Sequence, residues 1–246
     1  MLSFDNIPHK VIVDLVAEEV ADGNILDLIK RFLAAGVMEN GVFKPTTIGT
    51  PQGGVISPLL ANIVLNQLDW RLEEAGYRFV RYADDFVVVC QERSQANAAY
   101  ELVSEGIGQL GLSLSAEKTK IASYGSGYEF LGFYLSGRTR RIRAKSLEKF
   151  KEKIRELTRR CHNLDAEVIV KLNRVIRGTA QYFAPSFSTC IALFRDLDRW
   201  IRGRLRQMRF KRISIQDRYR VRCRTFDRKL GLLRLLSFTS TTMTTT

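Results

Sequence analysis

The 246-residue sequence has few histidines and few cysteines, which excludes several kinds of metal and disulfide protein. Its only histidines are His9 and His162, so it has no His-rich nuclease signature. The cysteines lie far apart and have no paired spacing, which predicts neither a zinc site nor a disulfide framework. We therefore expect reduced, mostly buried thiols at all four positions. These are Cys90, Cys161, Cys190 and Cys223.

Long apolar runs are also missing. No stretch approaches the roughly 20 uninterrupted apolar residues that a membrane span requires. Asp5 and His9 fall where a secretory signal would have its apolar core. The sequence thus predicts a cytoplasmic protein with no membrane partner.

The sequence has an excess of positive charge, and the net positive charge lies in one part of the chain. Residues 1–137 contain 10 Lys and Arg against 17 Asp and Glu, whereas residues 138–246 contain 29 against 9. The net charges are −7 and +20. A polyanion bound by the second part explains this division, because each neutralised phosphate releases counterions. Solvated faces of surface helices are the alternative.

The change in charge coincides with a change in pattern, which predicts a domain boundary near residue 137. Glycines bracket a short apolar segment at residues 128–135. Beyond it, apolar residues recur at helical spacing around residues 147–157, 168–183 and 193–208, which predicts three amphipathic helices in a small bundle. We assign the aromatic residues of these helices to the core rather than to base stacking. The Thr-rich tail at 237–246 has too little apolar content to pack and is predicted to be disordered.

Residues 1–137 predict a mixture of helices and strands. Helices are expected at residues 11–20 and 25–35, and from an N-cap at Ser57 through Pro58 to residue 72. Two β-branched and aromatic runs, residues 79–82 and 86–90, predict a β-hairpin whose turn is Ala83-Asp84-Asp85. Residues 106–114 look like a helix end that passes into a strand or turn.

The predicted hairpin places two carboxylates, Asp84 and Asp85, side by side. Adjacent carboxylates repel each other and require either solvent or cations. Mg²⁺ prefers oxygen ligands and bridges to substrate phosphates, and two ions about 3.5 to 4 Å apart can assist an in-line displacement at phosphorus. Taken alone, the pair is more simply an acidic solvent-exposed turn, since such turns are common.

The residues around this hairpin resemble, in the same order, the motifs of reverse transcriptases of group II introns and retrons. In the polymerase part, the similar segments are Phe4-Asp5-Asn6-Ile7-Pro8-His9, residues 49–62 (GTPQGGVISPLLAN), Arg81-Tyr82-Ala83-Asp84-Asp85-Phe86, and Gly111-Leu112 with Glu117-Lys118-Thr119. Phe130-Leu131-Gly132-Phe133 is similar to the primer grip. In the intron-binding thumb or maturase region, the similar segments are Leu172-Asn173, Arg177-Gly178, Tyr182-Phe183, Leu197-Asp198 and Arg204-Leu205-Arg206. Residues 49–62 are the most specific match. The resemblance covers about residues 1–212.

This resemblance implies an α+β fold, in which a polymerase palm (an antiparallel sheet with helices, residues 1–137) precedes a basic helical thumb or maturase bundle (residues 138–236). It implies RNA-directed DNA polymerisation by two-metal nucleotidyl transfer in the complete enzyme. The partners implied are an intron RNA template, a DNA primer and deoxynucleoside triphosphates, and the basic part would bind intron RNA and assist splicing.

Site residues follow from the same resemblance. Asp84 and Asp85 would be catalytic and hold Mg²⁺. Gln52 and Gly53 would line the incoming nucleotide, and their alternative is a plain turn. Phe4 would lie under the sugar and exclude a 2′-hydroxyl, although an isolated Phe is more often a core residue. Lys118 would approach the triphosphate or protonate the leaving group, and it reads equally well as a solvated lysine.

One departure limits the expected activity. In the family, the first metal-binding aspartate precedes the aromatic residue matched by Phe4 by five positions, which places it two residues before Met1. Asp5 does not replace it, because its offset turns it in a different direction along the strand. The chain alone is therefore expected to be inactive unless a separate N-terminal fragment supplies the aspartate. The alternatives are an RNA-binding maturase remnant without polymerase activity, and a decayed reading frame that folds poorly.

Overall fold

A computed structural model describes residues 7–35, 37–39, 42–44 and 55–239 of the chain. The chain divides into two units, Met1–Ile121 and Ala122–Thr246. Each unit has a hydrophobic core of its own. No helix in the described ranges is both long enough and apolar enough to cross a membrane.

The described part of the first unit combines four helices with two antiparallel hairpins. In chain order its elements are α1 (His9–Glu19), α2 (Gly23–Ala34), β1 (Val37–Glu39), β2 (Val42–Lys44), α3 (Ser57–Glu74), β3 (Arg78–Tyr82), β4 (Asp85–Val89) and α4 (Arg93–Gln109). Strand β1 pairs with β2, and β3 pairs with β4. The predicted mixture of α and β structure is confirmed.

Helix α3 forms the centre of this unit because its buried residues recur at helical spacing. Leu60, Val64, Leu68 and Leu72 are at most 1% exposed, and residues four apart lie on one face of a helix. The helix contacts both α1 and α4. Gly106 allows the close approach of α4, since a Cβ atom there would lie 3.3 Å from Leu68 Cδ1.

The second unit begins with a three-stranded antiparallel sheet and continues as helices. Its elements are β5 (Tyr128–Phe130), β6 (Phe133–Leu135), β7 (Arg140–Ile142), α5 (Ala144–Leu157), α6 (Ala166–Phe183), α7 (Ile191–Phe210) and α8 (Asp217–Arg220), followed by a π-helical turn (Thr225–Lys229) and a 3-10 helix (Leu235–Phe238). The strand order is β5-β6-β7.

The three predicted amphipathic helices are confirmed as α5, α6 and α7. Their apolar stripes meet in one core, to which Phe150, Leu172, Ile176, Phe194 and Leu205 contribute buried side chains. The aromatic residues of the bundle thus serve packing, as expected. The chain also adds the 3-10 helix to this core through Leu235, which is fully buried.

Several expectations need correction. The N-cap of α3 is Ile56 rather than Ser57, because Ser57 is already helical. Asp85 belongs to β4 and pairs with Tyr82, so the hairpin turn is one residue shorter than predicted. The thiols are less buried than expected, since Cys161 and Cys223 are exposed. Ser237 lies in the 3-10 helix rather than in a disordered tail; residues 240–246 lie outside the described residues.

Candidate functional site

The β3–β4 hairpin carries the two acidic residues at its tip. Tyr82 pairs with Asp85, which leaves Ala83 and Asp84 as a two-residue turn. Ala83 has a φ of +54°, and positive φ values at the first turn residue suit the right-handed twist of hairpin strands. For a residue with a Cβ atom this conformation is unfavourable. The tip of the hairpin is therefore a strained turn.

The two faces of the hairpin have different environments. On one face Phe79, Phe86 and Val88 pack against the core that contains α3. On the other face Val80 and Tyr82 are 57% and 67% exposed. Since side chains alternate along a strand, Arg81 lies on the same face as Phe79, next to α3.

Arg81 connects this hairpin to α3 through all of its nitrogens. Its Nε donates to both carboxylate oxygens of Asp69, at 2.8 and 3.0 Å, and its Nη2 donates to Asp69 Oδ2 at 2.5 Å. Its Nη1 donates to Asn62 Oδ1 at 2.8 Å and to the main-chain oxygen of Ala83 at 3.1 Å. The side chains of Arg81 and Asp69 are only 12% and 21% exposed.

Sequence reasoning gave no role to Arg81, Asp69 or Asn62. A signal was present, because Arg81 occupies an inward position in an alternating strand, and a charge on a buried face requires a partner. The identity of that partner could not be predicted from the sequence, since Asp69 lies 12 positions earlier on a different element.

The two carboxylates of the hairpin tip differ in exposure. Asp84 is partly buried and Asp85 is exposed. Both offer hard oxygen donors of the kind that a divalent cation prefers. Across the described part of the chain, no three His, Cys, Asp or Glu side chains cluster closely enough to hold a metal ion. Two carboxylates are too few for a full ligand set, which water, substrate phosphates or another carboxylate would have to complete.

The remaining predicted site residues are placed only in part. Phe4, Gln52 and Gly53 lie outside the described residues. Lys118 is exposed and lies in a turn, where its main-chain N–H donates to the Ser115 carbonyl oxygen at 3.1 Å. His9 begins α1. The assignment of substrate contacts to these residues stays a prediction.

The segment similar to a primer grip forms a second strained turn. Phe130 pairs with Phe133 across Leu131 and Gly132, whose φ values are +45° and +80°. The hydroxyl of Tyr182, near the end of α6, donates to the Leu131 carbonyl oxygen at 2.8 Å. The ring of Phe183 also packs edge-on against Phe133, with centroids 4.8 Å apart. This turn is thus fixed by helix α6 of the bundle.

Two residues of the maturase-like motifs hold the C-terminal segment against α6 and α7. Asn173 Nδ2 donates to the Gly231 carbonyl oxygen, and its Oδ1 accepts from the Leu233 N–H, both at 2.8 Å. Asp198 accepts from the N–H groups of Leu235 and Leu236 at 2.9 and 3.2 Å. Burial raises the pKa of Asp198 above its ordinary value, although these N–H groups and Arg202 act in the opposite direction.

Not all of the positive charge in the second unit faces solvent. Arg202 pairs with Asp227 at 2.6 Å and is itself buried. Arg204 donates to the carbonyl oxygens of Arg155 and Thr158, and burial beside other arginines lowers its pKa. Arg206 donates to the Val221 carbonyl oxygen. The exposed cations on α5 and α7 include Lys145, Lys149, Lys153, Arg155, Arg195, Arg199 and Arg209.

Comparison with known proteins agrees with these features. Residues 3–135 match the model of the family described as reverse transcriptase (RNA-dependent DNA polymerase), and residues 147–226 match the group II intron, maturase-specific domain. The gap between these matches contains the predicted boundary at 137. The division into compact units, however, falls earlier, before β5.

Individual relatives are similar over parts of the chain. The chain is 30% identical to Protein YkfC of Escherichia coli over 167 residues, which are 54% of this chain and 44% of that protein. It is 48% identical to the group II intron-encoded protein LtrA of Lactococcus lactis over 78 residues, 32% of this chain and 13% of LtrA. The retron Ec86 reverse transcriptase of Escherichia coli is 31% identical over 90 residues, 35% of this chain and 28% of that protein.

The chain therefore spans less than half of the length of each of these relatives. One family model nevertheless matches more than half of the chain, and it includes the hairpin of Asp84 and Asp85. The chain belongs to the reverse transcriptase (RNA-dependent DNA polymerase) family, with a group II intron maturase-specific region after its polymerase part.

Proposed function

We propose that this chain is the palm and thumb part of a group II intron reverse transcriptase and maturase. The observation that carries the proposal is the tight β3–β4 hairpin, which holds Asp84 and Asp85 at its tip in a chain of this family. In the complete enzyme the two carboxylates would contribute to a site for nucleotidyl transfer. The proposed template is intron RNA, extended from a DNA primer.

Asp84 and Asp85 would hold Mg²⁺ in this site. When bound, the ion would supply charge stabilisation at the phosphate oxygens and would lower the pKa of an attacking hydroxyl. Gln52 and Gly53 are proposed to line the nucleotide, Phe4 to support its sugar, and Lys118 to approach its triphosphate. A further carboxylate, placed by the resemblance five positions before Phe4, would complete the ligand set, either from the same chain or from a separate N-terminal fragment.

The basic second unit is proposed to bind structured intron RNA and so to assist splicing. Exposed cations of α5 and α7 support this role, namely Lys145, Lys149, Arg195 and Arg209. Lys153, Arg155 and Arg199 are exposed too, but they pair with Glu156, Glu148 and Asp196. The same charge supports the second candidate function, an RNA-binding maturase without polymerase activity. Both functions would be carried out in the cytoplasm.

The proposed catalytic role is tested with Asp84→Asn in a chain extended through its own upstream reading frame. We expect Mg²⁺-dependent primer extension on an RNA template to be lost, because the amide is a poorer ligand for the ion. RNA binding should be unchanged, since the substitution lies outside the basic unit. Primer extension and RNA affinity are measured on the same preparations.

The outcomes separate the two candidate functions. Synthesis retained in Asp84→Asn would exclude Asp84 as a metal ligand. Synthesis absent from the unsubstituted extended chain, with RNA binding intact, would favour the maturase without polymerase activity.

A further inference from the structure

We propose that Arg81 is a positioning residue for the metal-binding carboxylates, acting through the main chain of Ala83 with Asp69 and Asn62 as its supports. This inference rests on the proposed role of Asp84 and Asp85 as metal ligands. It assigns a role to Arg81 of β3 and to Asp69 and Asn62 of α3, for which the comparisons give none.

The contacts of Arg81 leave its guanidinium a single orientation. A guanidinium is planar and presents its N–H donors in fixed directions. Asp69 takes two of its nitrogens, and the third is shared between Asn62 Oδ1 and the Ala83 oxygen. Since Asp69 and Asn62 belong to α3, the orientation is set by the helix with the most deeply buried face in the unit.

The acceptor in the turn is the carbonyl oxygen of Ala83, and this choice links Arg81 to Asp84. A peptide group is planar, so the direction of the Ala83 carbonyl also fixes the N–H and Cα of Asp84. Ala83 has a left-handed φ of +54°, which an alanine adopts only when its surroundings impose it. The hydrogen bond from Arg81 supplies that constraint within β3 itself.

The pairing with Asp69 also determines how strongly the charge of Arg81 acts on a cation at the hairpin tip. An unpaired guanidinium near a cation site would repel a divalent ion. Here the bidentate contact to Asp69 offsets that charge. Simple removal of a positive charge predicts tighter metal binding, whereas loss of positioning predicts weaker binding. The sign of the effect therefore distinguishes the two roles.

The test uses Mn²⁺ as the probe and the whole 246-residue chain, with free Mn²⁺ followed by electron paramagnetic resonance. In Arg81→Met we expect the Mn²⁺ affinity to fall by roughly tenfold, as for other residues that orient metal ligands. Arg81→Lys keeps a positively charged partner for Asp69, so this variant should fold even if Arg81→Met does not. Its single ammonium cannot reproduce the fork of contacts, so its affinity should also fall.

Three further substitutions provide the specificity. Adding Ala83→Gly to either Arg81 variant should recover most of the lost affinity, because glycine adopts positive φ without a constraint. Arg78→Met is the matched control, since Arg78 is an exposed arginine of the same strand on the opposite face. It should bind Mn²⁺ like the unsubstituted chain. Asp84→Asn reports on the metal site itself.

A second readout does not depend on metal. Hydrogen exchange of the amides in residues 78–89 should be faster in Arg81→Met and should slow again when Ala83→Gly is added. Exchange in the second unit should stay the same, which also verifies folding.

Each outcome decides a different point. Mn²⁺ binding that is unchanged or tighter in both Arg81 variants overturns the positioning role. A loss of Mn²⁺ affinity that is not recovered when Ala83→Gly is added overturns it as well. If the unsubstituted chain and Asp84→Asn bind Mn²⁺ equally, the proposed metal site fails. Hydrogen exchange then still decides on Arg81, because a turn unaffected by Arg81→Met contradicts the constraint.

Discussion

At the scale of single residues, Asp198 shows how a motif that suggests RNA binding can serve the fold. Its carboxylate satisfies the N–H groups of Leu235 and Leu236, which sit where the chain returns to the bundle core. Asn173 accepts from the Leu233 N–H and donates to the Gly231 carbonyl oxygen. These two polar residues of α6 and α7 therefore attach the C-terminal segment to the bundle.

We expect Asp198→Ala to lower the free energy of unfolding by roughly 2 to 4 kcal/mol, because it leaves two main-chain donors without acceptors in a buried place. Asp198→Asn should fall between this variant and the unsubstituted chain, since its amide offers one acceptor oxygen. Chemical denaturation followed by circular dichroism measures both. A loss of stability no greater in Ala than in Asn would contradict the proposed attachment.

The same residue predicts a pH dependence with a defined sign. Because the folded-state pKa of Asp198 is raised by burial, the folded state binds its proton more readily than the unfolded state. The resulting stabilisation is present in full below the unfolded pKa and is lost as the pH rises through the folded pKa. The difference in unfolding free energy between the unsubstituted chain and Asp198→Asn should therefore grow as the pH is lowered. A difference that shrinks would contradict the raised pKa.

At the scale of elements, the two hairpin turns share one arrangement. In each, a residue other than glycine has a positive φ, and a side chain donates to its carbonyl oxygen. Arg81 does this for Ala83, and Tyr182 does it for Leu131. Strained turns of this kind persist where the surroundings impose them, and they are found disproportionately at functional sites.

Leu131→Asn should relieve the strain of the β5–β6 turn. Asn-Gly is the preferred pair where both turn residues have positive φ, so we expect the free energy of unfolding to rise by about 1 kcal/mol. Binding to a primer–template duplex should weaken, because the leucine side chain is lost from the proposed primer grip. Thermal unfolding and duplex affinity are measured in parallel.

Gly132→Ala serves as the opposite control for that turn. Its Cβ atom would stand 3.3 Å from Ser146 Oγ and 3.4 Å from the Phe183 ring, at a φ of +80°, and the variant should be less stable than the parent. If Leu131→Asn also proves destabilising, the strain assigned to Leu131 is wrong.

Individual elements also show what sequence could and could not predict. The apolar stripes of α5, α6 and α7 are predictable because long apolar side chains recur at helical spacing. Strands β3 and β4 are predictable from their β-branched and aromatic residues. Helix α4 was recognised only near its end, since it buries small residues such as Ala99 and Gly106 beside Val103. The support of Arg81 escaped prediction because it depends on the packing of β3 against α3.

At the scale of the whole molecule, charge is divided between the two units in a way that predicts strongly salt-dependent RNA binding. Between 50 and 200 mM salt, a loss of about 40-fold in affinity would correspond to roughly three neutralised phosphates. Binding should survive in residues 122–246 alone, measured by filter binding or fluorescence anisotropy over the same salt range. Affinity lost together with residues 1–121 would contradict the basic unit as the RNA contact.

The place of the truncation provides the control for that experiment. A chain beginning at residue 138 keeps every cation counted in the basic part but lacks β5 and β6, and with them the turn held by Tyr182. We expect it to be less stable than residues 122–246, while its RNA affinity keeps the same salt dependence.

The position of β5 and β6 has a consequence for how such genes can recombine. These strands match the polymerase family in sequence, yet they belong to the unit formed by the maturase-like helices. An exchange between two related reading frames at the boundary suggested by sequence would separate Leu131 from the Tyr182 that holds it. An exchange just before codon 122 would move both together, so hybrid genes joined there should more often encode a thumb that folds.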